Sequence, residues 1–346
     1  MNEFKNILIV RTDRLGDVVL TTPAIAALRC AYPKAKISIL ISPSTREIVE
    51  GNPNIDEILI DDRKGSHNGF LGFWRLVREI KNKKFDVAFV YHTKKRTNLI
   101  CFISRIPQRI GYQNDKFGFL LTQKIPDTRP LGNKHEAQYC LDVLKAVGIE
   151  NENKKPVIVV KKEFEAWADR FLYDHGLSRE EKLVAIHPGA SCISKRWIPE
   201  RFGEVADQII SLHHCKVVLV GASENKPIVT NLLSRMKNKV IDATGQTSVG
   251  QMAAILKRCQ LLISNDSGPV HVAVALGVPV ISIFGRNQAG LSPMRWGPLG
   301  DKDIVLHKEV GCPVCLAHNC QINFKCLDEI KTSEVLEAVD SLSLLW

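Results

Sequence analysis

The turn after the first apolar segment holds the residues best suited to acid–base chemistry. Asn6–Val10 is apolar and predicts a strand, and the next seven residues, Arg11–Asp17, contain two aspartates and two arginines. Such side chains directly after a strand are candidates for a functional site. Asp17 also stands where a helix is predicted to begin, so helix capping explains it equally well. The turn matches neither G-x-G-x-x-G nor a Walker A loop, which disfavours nicotinamide oxidoreductases and phosphate-loop NTPases.

A second turn, His187–Ser191, has the composition of a phosphate-binding loop. Gly189 and Ala190 are small, so backbone N–H groups around them are accessible to phosphate oxygens. Lys195 follows closely and adds a positive charge. The alternative is an ordinary Gly-Pro turn flanked by surface cations.

A third turn, within Ser264–His271, predicts a diphosphate site. A strand ends there in polar residues and an apolar helix follows, so Asp266 or Ser267 is the N-cap and free amides begin at Gly268. Capping explains one of these residues but not the whole polar set. His271 is as consistent with a core histidine as with a ligand contact.

Three weaker features complete the candidates. Glu224 follows another strand-like segment and suits a ribose hydroxyl, although it equally suits a helix N-terminus. Residues 284–288 follow the last core strand and are expected to close the site. Asp301-Lys302-Asp303 resembles a metal-binding D-x-D, but it lies in a late polar turn and predicts a solvated loop.

Four of the ten cysteines are crowded near the end of the chain, at Cys312, Cys315, Cys320 and Cys326. Four closely spaced thiols in a reducing compartment are typical of a structural zinc site. The spacing is tighter than in standard zinc modules, so a labile disulfide pair and free thiols remain comparable alternatives.

Positive charge is concentrated in the first half of the chain. Residues 1–150 contain 24 Lys and Arg against 16 Asp and Glu, a net of +8, whereas the whole chain of 346 residues has a net charge of +10. This excess favours an anionic partner. No zinc-finger spacing, RNP motif or basic zipper is present, so we expect no nucleic-acid partner.

Short apolar segments alternate with longer amphipathic ones, and the pattern restarts near Leu183. This alternation predicts parallel sheets covered by helices on both faces, in two doubly wound domains. We expect the boundary in the Lys- and Glu-rich stretch 150–182, which has little core pattern, with domains at 1–160 and 161–346. No membrane span and no secretory signal are recognised, so we expect a cytoplasmic protein.

The motifs Arg11–Val18, His187–Ala190 with Lys195-Arg196-Trp197, and Asn265–Gly268 with His271 resemble glycosyltransferase family 9, the ADP-heptose:lipopolysaccharide heptosyltransferases. The resemblance runs nearly end to end and includes the four-cysteine tail. It implies a GT-B fold, with two Rossmann-like domains facing a cleft and the last helix, about 332–346, packing back on the first domain. It also implies inverting transfer of heptose from ADP-heptose to the inner core of lipopolysaccharide, at the inner face of the cytoplasmic membrane.

The resemblance also implies roles for individual residues. Asp17 matches the general base, for which no cofactor is required. The implied donor-binding residues are Gly189, Ala190, Lys195, Glu224, Asp266, Ser267, Gly268 and His271. The basic first domain is expected to hold the anionic acceptor, with the candidates Arg11, Asp13, Lys94, Arg96 and Arg109.

Two other classes of function fit the same sequence. One is a different nucleotide-sugar transferase or an epimerase on the same fold, and an epimerase would consume no acceptor. The other is a non-catalytic sugar-nucleotide-binding protein, which would bind ADP without turnover.

Overall fold

The computed structural model describes residues 3–178 and 180–344. The chain divides into two compact units, Met1–Val159 and Val160–Trp346. Each unit contains one parallel β-sheet with helices connecting its strands, as the strand–helix alternation predicts.

The first unit contains a sheet of six described strands in the order β3-β2-β1-β4-β5-β6. Its strands are β1 (Asn6–Val10), β2 (Lys36–Ile41), β3 (Glu57–Ile60), β4 (Val87–Val90), β5 (Gln108–Tyr112) and β6 (Gln123–Ile125). Its helices are α1 (Leu15–Ala31), α2 (Arg46–Val49), α3 (Gly69–Lys83), α4 (Lys95–Ile103) and α5 (Glu136–Leu144).

The second unit repeats this arrangement, with the described strands in the order β12-β11-β10-β7-β8-β9. Its strands are β7 (Leu183–His187), β8 (Lys216–Leu219), β9 (Ile241–Asp242), β10 (Leu261–Asn265), β11 (Val280–Ile283) and β12 (Ile304–Leu306). Its helices are α6 (Lys162–Asp174), α7 (Pro199–His213), α8 (Lys226–Leu233), α9 (Val249–Arg258), α10 (Gly268–Ala275), α11 (Pro293–Trp296), α12 (Lys325–Asp328) and α13 (Thr332–Ser341).

Strand order reverses once in each sheet, between β1 and β4 in the first unit and between β7 and β10 in the second. Loops that leave two such strands diverge to opposite faces of the sheet and leave a crevice at the carboxyl ends of the strands. The segments after β1, β7 and β10 are the three turns in which the sequence analysis placed the main candidate site residues. The topology therefore places each of them beside a crevice of its own unit.

Fully buried strands form the two cores. β4 is apolar along its whole length and β1 is apolar from Ile7 to Val10, because helices cover both faces of the sheet. β7 and β10 occupy the same central position in the second unit. None of the helices in the described ranges is both long enough and apolar enough to span a bilayer.

One segment differs from the sequence-based expectation. The stretch 150–182 is predicted to have little core pattern, yet it contains α6, whose Ala168 and Leu172 are buried. Near the end of the chain, α13 packs against α7, and Val335 and Val339 join the core of the second unit. The expected packing of the last helix, about 332–346, on the first domain stays a prediction. Residues 345 and 346 of that expected helix lie outside the described part of the chain.

Candidate functional site

The first unit gathers three carboxylates around one buried arginine. Arg11 follows β1 and is only 2% exposed. Its Nη2 donates to Asp17 Oδ1 at 2.8 Å and to Glu136 Oε1 at 2.9 Å, and its Nε lies 3.1 Å from Asp13 Oδ1. Asp17 comes from the first turn of α1, and Glu136 from the first turn of α5. One guanidinium thus faces three acidic groups, so the cluster has an excess of negative charge.

Burial and the charges of this cluster together set the protonation of Asp17. Burial raises the pKa of Asp17 most, Arg11 lowers it, and the charges of Asp13 and Glu136 raise it again, so the pKa rises from 3.8 to about 6. The Asp17 side chain remains 17% exposed. A partly accessible carboxylate with a pKa just below neutrality is ionised at pH 7 and still basic enough to accept a proton.

A polar pair joins the two loops that flank this crevice. Thr12 Oγ1, after β1, lies 2.9 Å from Nδ1 of His92, after β4. Burial and then the charges of Arg11 and Lys94 lower the pKa of His92 to about 3, so its ring is neutral at physiological pH. The neutral ring links the two loops without adding charge next to Arg11.

The cations predicted for the acceptor occupy three different environments. Lys94 is exposed at the start of α4 and interacts electrostatically with Asp13, so it lies beside the Arg11 cluster. Arg96 forms two hydrogen bonds to the fully buried carboxylate of Asp61. Arg109 lies near the start of β5, where it donates to the carbonyls of Ile106 and Leu120. The structure therefore brings Lys94 to the cluster, gives Arg96 an internal partner, and does not bring Arg109 to this group.

The second unit gathers two cations around one buried carboxylate. Asp266 follows β10 and is 5% exposed. Its Oδ2 lies 2.9 Å from Lys195 Nζ and 2.8 Å from Arg286 Nη2. Burial lowers the pKa of Lys195 although Asp266 raises it. Two cations against one carboxylate leave a net positive charge, and the adjacent N-terminus of α10 adds the positive end of its dipole.

A network of neutral side chains holds the loops of this second crevice in place. His187 Nδ1, at the end of β7, lies 3.3 Å from Ser264 Oγ and 3.1 Å from Ser267 Oγ. Burial lowers the pKa of His187 to about 4, so the ring stays neutral. Asn265 Nδ2 donates to the carbonyl of Pro188 at 2.8 Å. Ser267 and Gly268 are therefore fixed at the start of α10 with the loop after β7 beside them.

Close packing favours glycine in the loop after β7. A Cβ on Gly189 would stand 2.5 Å from the Asn225 side chain, so a larger residue would require that side chain to move. Asn225 Oδ1 in turn accepts from the backbone N–H of Ala222, in the turn that carries Glu224. The carbonyl of Ala190 accepts from Arg196 Nη2 at 3.1 Å. These contacts tie the loop after β7 to the turn after β8.

Glu224 and His271 have opposite environments. Glu224 is exposed, with the Ser223 hydroxyl 3.4 Å from Oε2, so its carboxylate is accessible to a hydroxyl ligand. His271 is only 4% exposed within α10, as a histidine of the hydrophobic core would be.

The four crowded cysteines form no disulfide, and three of them lie close enough to Cys326 to affect its thiol. Burial, followed by smaller effects from Cys315, Cys320 and Cys312, raises the pKa of Cys326. In the described ranges no group of three or more His, Cys, Asp or Glu side chains is arranged to hold a metal ion. The structural zinc stays a prediction, and the Asp301–Asp303 segment likewise forms no such group.

Two residues of these clusters were not assigned a role from the sequence. Arg286 belongs to the segment expected to close the site, but its pairing with Asp266 requires β10 and β11 to be neighbours in the sheet. Glu136 is 125 residues away from Arg11. Its only local signal is an acidic residue at a predicted helix start, which is common at helix N-termini.

Comparisons with known proteins agree on one family. The model of glycosyltransferase family 9 (heptosyltransferase) matches residues 73–325. Lipopolysaccharide heptosyltransferase 2 of Salmonella typhimurium is 24% identical, and the alignment covers 97% of this chain and 98% of the relative.

Two solved structures have the same fold. A glycosyl transferase family 9 protein of Veillonella parvula superposes with a TM-score of 0.90 at 32% identity, over 99% of this chain and 97% of that one. The E. coli ADP-heptose lipopolysaccharide heptosyltransferase II superposes with a TM-score of 0.80 at 21% identity, over 99% and 98% of the two chains. The GT-B fold is thereby confirmed, and the chain belongs to the enzymes of glycosyltransferase family 9, the heptosyltransferases.

Proposed function

We propose that this enzyme transfers a heptosyl residue from ADP-heptose to an anionic saccharide acceptor of the inner core of lipopolysaccharide, with inversion at the anomeric carbon. The observation that carries the proposal is the Asp266 cluster, in which Lys195 and Arg286 converge at the N-terminus of α10. Its net positive charge suits a nucleoside diphosphate. The E. coli structural neighbour is itself named for ADP-heptose.

In this proposal the second unit binds the donor. The diphosphate oxygens accept hydrogen bonds from Lys195, Arg286 and the backbone around Ser267 and Gly268. Glu224, which is exposed after β8, binds a ribose hydroxyl. As the bond between the anomeric carbon and the diphosphate breaks, negative charge develops on the leaving oxygen. Donors that are already in position stabilise that charge without reorganisation.

The first unit supplies the base. The acceptor hydroxyl attacks the anomeric carbon from the face opposite to the diphosphate, and Asp17 accepts the hydroxyl proton as the new bond forms. Arg11 orients the Asp17 carboxylate through Oδ1, while burial, together with the charges of Asp13 and Glu136, keeps its basicity above that of a free aspartate. Lys94, exposed beside Asp13, is proposed to contact acidic groups of the acceptor.

The experiment is product analysis with ADP-heptose and defined core acceptors, each omitted in turn. The proposal expects ADP release and a gain of one heptosyl mass on the acceptor only when both are present. Conversion of the sugar nucleotide without acceptor would indicate an epimerase instead. Binding of ADP-heptose without any turnover would indicate a binding protein, and either result would overturn the proposal.

A further inference from the structure

The outer side of α3 exposes a cluster of large apolar side chains. Phe70 is 75% exposed, Leu71 78% and Trp74 43%. The rings of Phe70 and Trp74 lie 6.1 Å apart, edge to face. We call these three residues the aromatic face. Contiguous exposed apolar side chains of this kind usually mark a surface that contacts a partner or a membrane.

Packing within the first unit does not account for the aromatic face. α3 already buries an inner stripe, Leu76, Val77 and Ile80, in the core of this unit. Positions 70, 71 and 74 project from the other side of the helix, because residues three or four apart share a side. The helix thus has one apolar stripe that is buried in the first unit and a second apolar stripe that is exposed to solvent.

Positive charge surrounds the aromatic face. Along the same exposed side of α3 follow Arg75, Arg78 and Lys81. Across residues 63–81 there are five Lys and Arg and a single acidic residue, Glu79. This segment is therefore more basic than the first half of the chain as a whole, which is itself basic.

We propose that the aromatic face docks on the surface of a bilayer that contains anionic lipids. Phe, Leu and Trp next to a row of Lys and Arg are the composition of helices that lie in the interface, with apolar side chains at the boundary between headgroups and acyl chains. The cations contact headgroup phosphates. A second copy of this chain is disfavoured as the occupant, because it would bring two basic rows together.

This inference goes beyond the proposed transfer reaction and does not depend on it. It concerns vesicle binding by the protein alone, without donor or acceptor. A failure of the transferase assay would leave it standing, and the loss of vesicle binding would leave the transferase proposal standing.

The experiment is co-sedimentation of the full chain with phosphatidylglycerol vesicles and, separately, with phosphatidylcholine vesicles. We expect binding to phosphatidylglycerol that weakens as salt is raised past physiological strength. The double variant Phe70→Ser, Leu71→Ser removes two side chains that insert, and we expect its vesicle affinity to fall about 10-fold or more. The matched control is Leu212→Ser on α7 in the second unit, which is 61% exposed in the native chain and is expected to bind like the wild type.

Three outcomes would overturn the inference. The first is no binding of the wild type to phosphatidylglycerol, and the second is equal binding of the double variant and the wild type. The third is a wild-type dimer in light scattering that the double variant dissociates, which would assign the face to a second copy. Circular dichroism melts of all variants check that each is folded, and because the substituted side chains are exposed we expect unchanged melting temperatures.

Discussion

Replacement of Asp17 by asparagine tests the base and the electrostatics of its cluster together. The variant keeps the size of the side chain and an oxygen that can accept from Arg11, but it cannot accept a proton. General-base catalysis contributes about 100-fold to 10,000-fold, so we expect kcat to fall by about 100-fold or more. Affinity for ADP should stay the same, since the groups that we assign to the donor lie in the second unit.

The same substitution should stabilise the protein, and the magnitude follows from the pKa. Asp17 titrates at 3.8 as a free side chain and at about 6 in the fold. This shift of about two units corresponds to about 3 kcal/mol, the upper limit of what the ionised carboxylate costs the folded state. Because the pKa is higher in the folded state, the protein is more stable below pH 3.8, where Asp17 is protonated. That extra stability is lost as the pH rises through about 6 and the carboxylate ionises. Asp17→Asn should therefore raise the free energy of unfolding near pH 8, by at most that amount, and much less near pH 4.

The assays are the pH profile of kcat/KM and urea unfolding at the two pH values. The wild type should lose activity as the pH falls through about 6, and this acid limb should be absent in Asp17→Asn. The matched control is Asp13→Asn, which removes a neighbouring negative charge but keeps Asp17. Its acid limb should move to lower pH, because Asp13 raises the pKa of Asp17. Turnover of Asp17→Asn within a few-fold of the wild type, or an acid limb that persists in it, would refute the reasoning.

Three further predictions concern the remaining clusters. Lys195→Met or Arg286→Met should each weaken ADP binding about 10-fold to 100-fold in calorimetry while adenosine binding changes little, and equal ADP affinity would contradict their role. Gly189→Ala places a Cβ 2.5 Å from Asn225 and should cost about 1–3 kcal/mol of unfolding free energy. The double variant with Asn225→Ala should recover part of that cost, and strict additivity would show that the two residues do not clash. Arg96→Ala should lower the melting temperature, because the fully buried Asp61 would lose one of its two ion pairs in the described ranges and keep the one with Arg63. Arg109→Ala should leave turnover near that of the wild type, because Arg109 donates to backbone carbonyls away from the Arg11 cluster.

The position of the candidate residues at the ends of central strands was predictable from the sequence because of a general property of parallel sheets. Residues that directly follow the central strands of one sheet lie at the same edge of that sheet. Asp17 in the first unit, and Gly189 and Asp266 in the second, could therefore be selected from local pattern alone. Strand β1 has the bounds that its apolar segment predicts, and β7 begins at Leu183, where the pattern restarts. Strand β5 is not apparent in the sequence, because Gln108 and Arg109 interrupt its apolar character.

The partners of these residues were not predictable, because they come from distant parts of the chain. Glu136 reaches Arg11 only because α5 packs on α1, and Arg286 reaches Asp266 only because β11 follows β10 in the sheet. Charge alone also failed to separate the environments of neighbouring cations. Arg96 and Lys94 look equivalent in the sequence, yet one is paired with a buried aspartate and the other is exposed.

The central claim is that a heptosyl group moves to an acceptor with inversion, and one measurement tests it most directly. Mass spectrometry and proton NMR of the purified product, after incubation with ADP-heptose and a defined core acceptor, report the transfer and the anomeric configuration together. We predict one added heptosyl residue whose anomeric configuration is opposite to that of the donor. A product with the configuration of the donor, or an acceptor that gains no mass while ADP-heptose is consumed, would contradict the account.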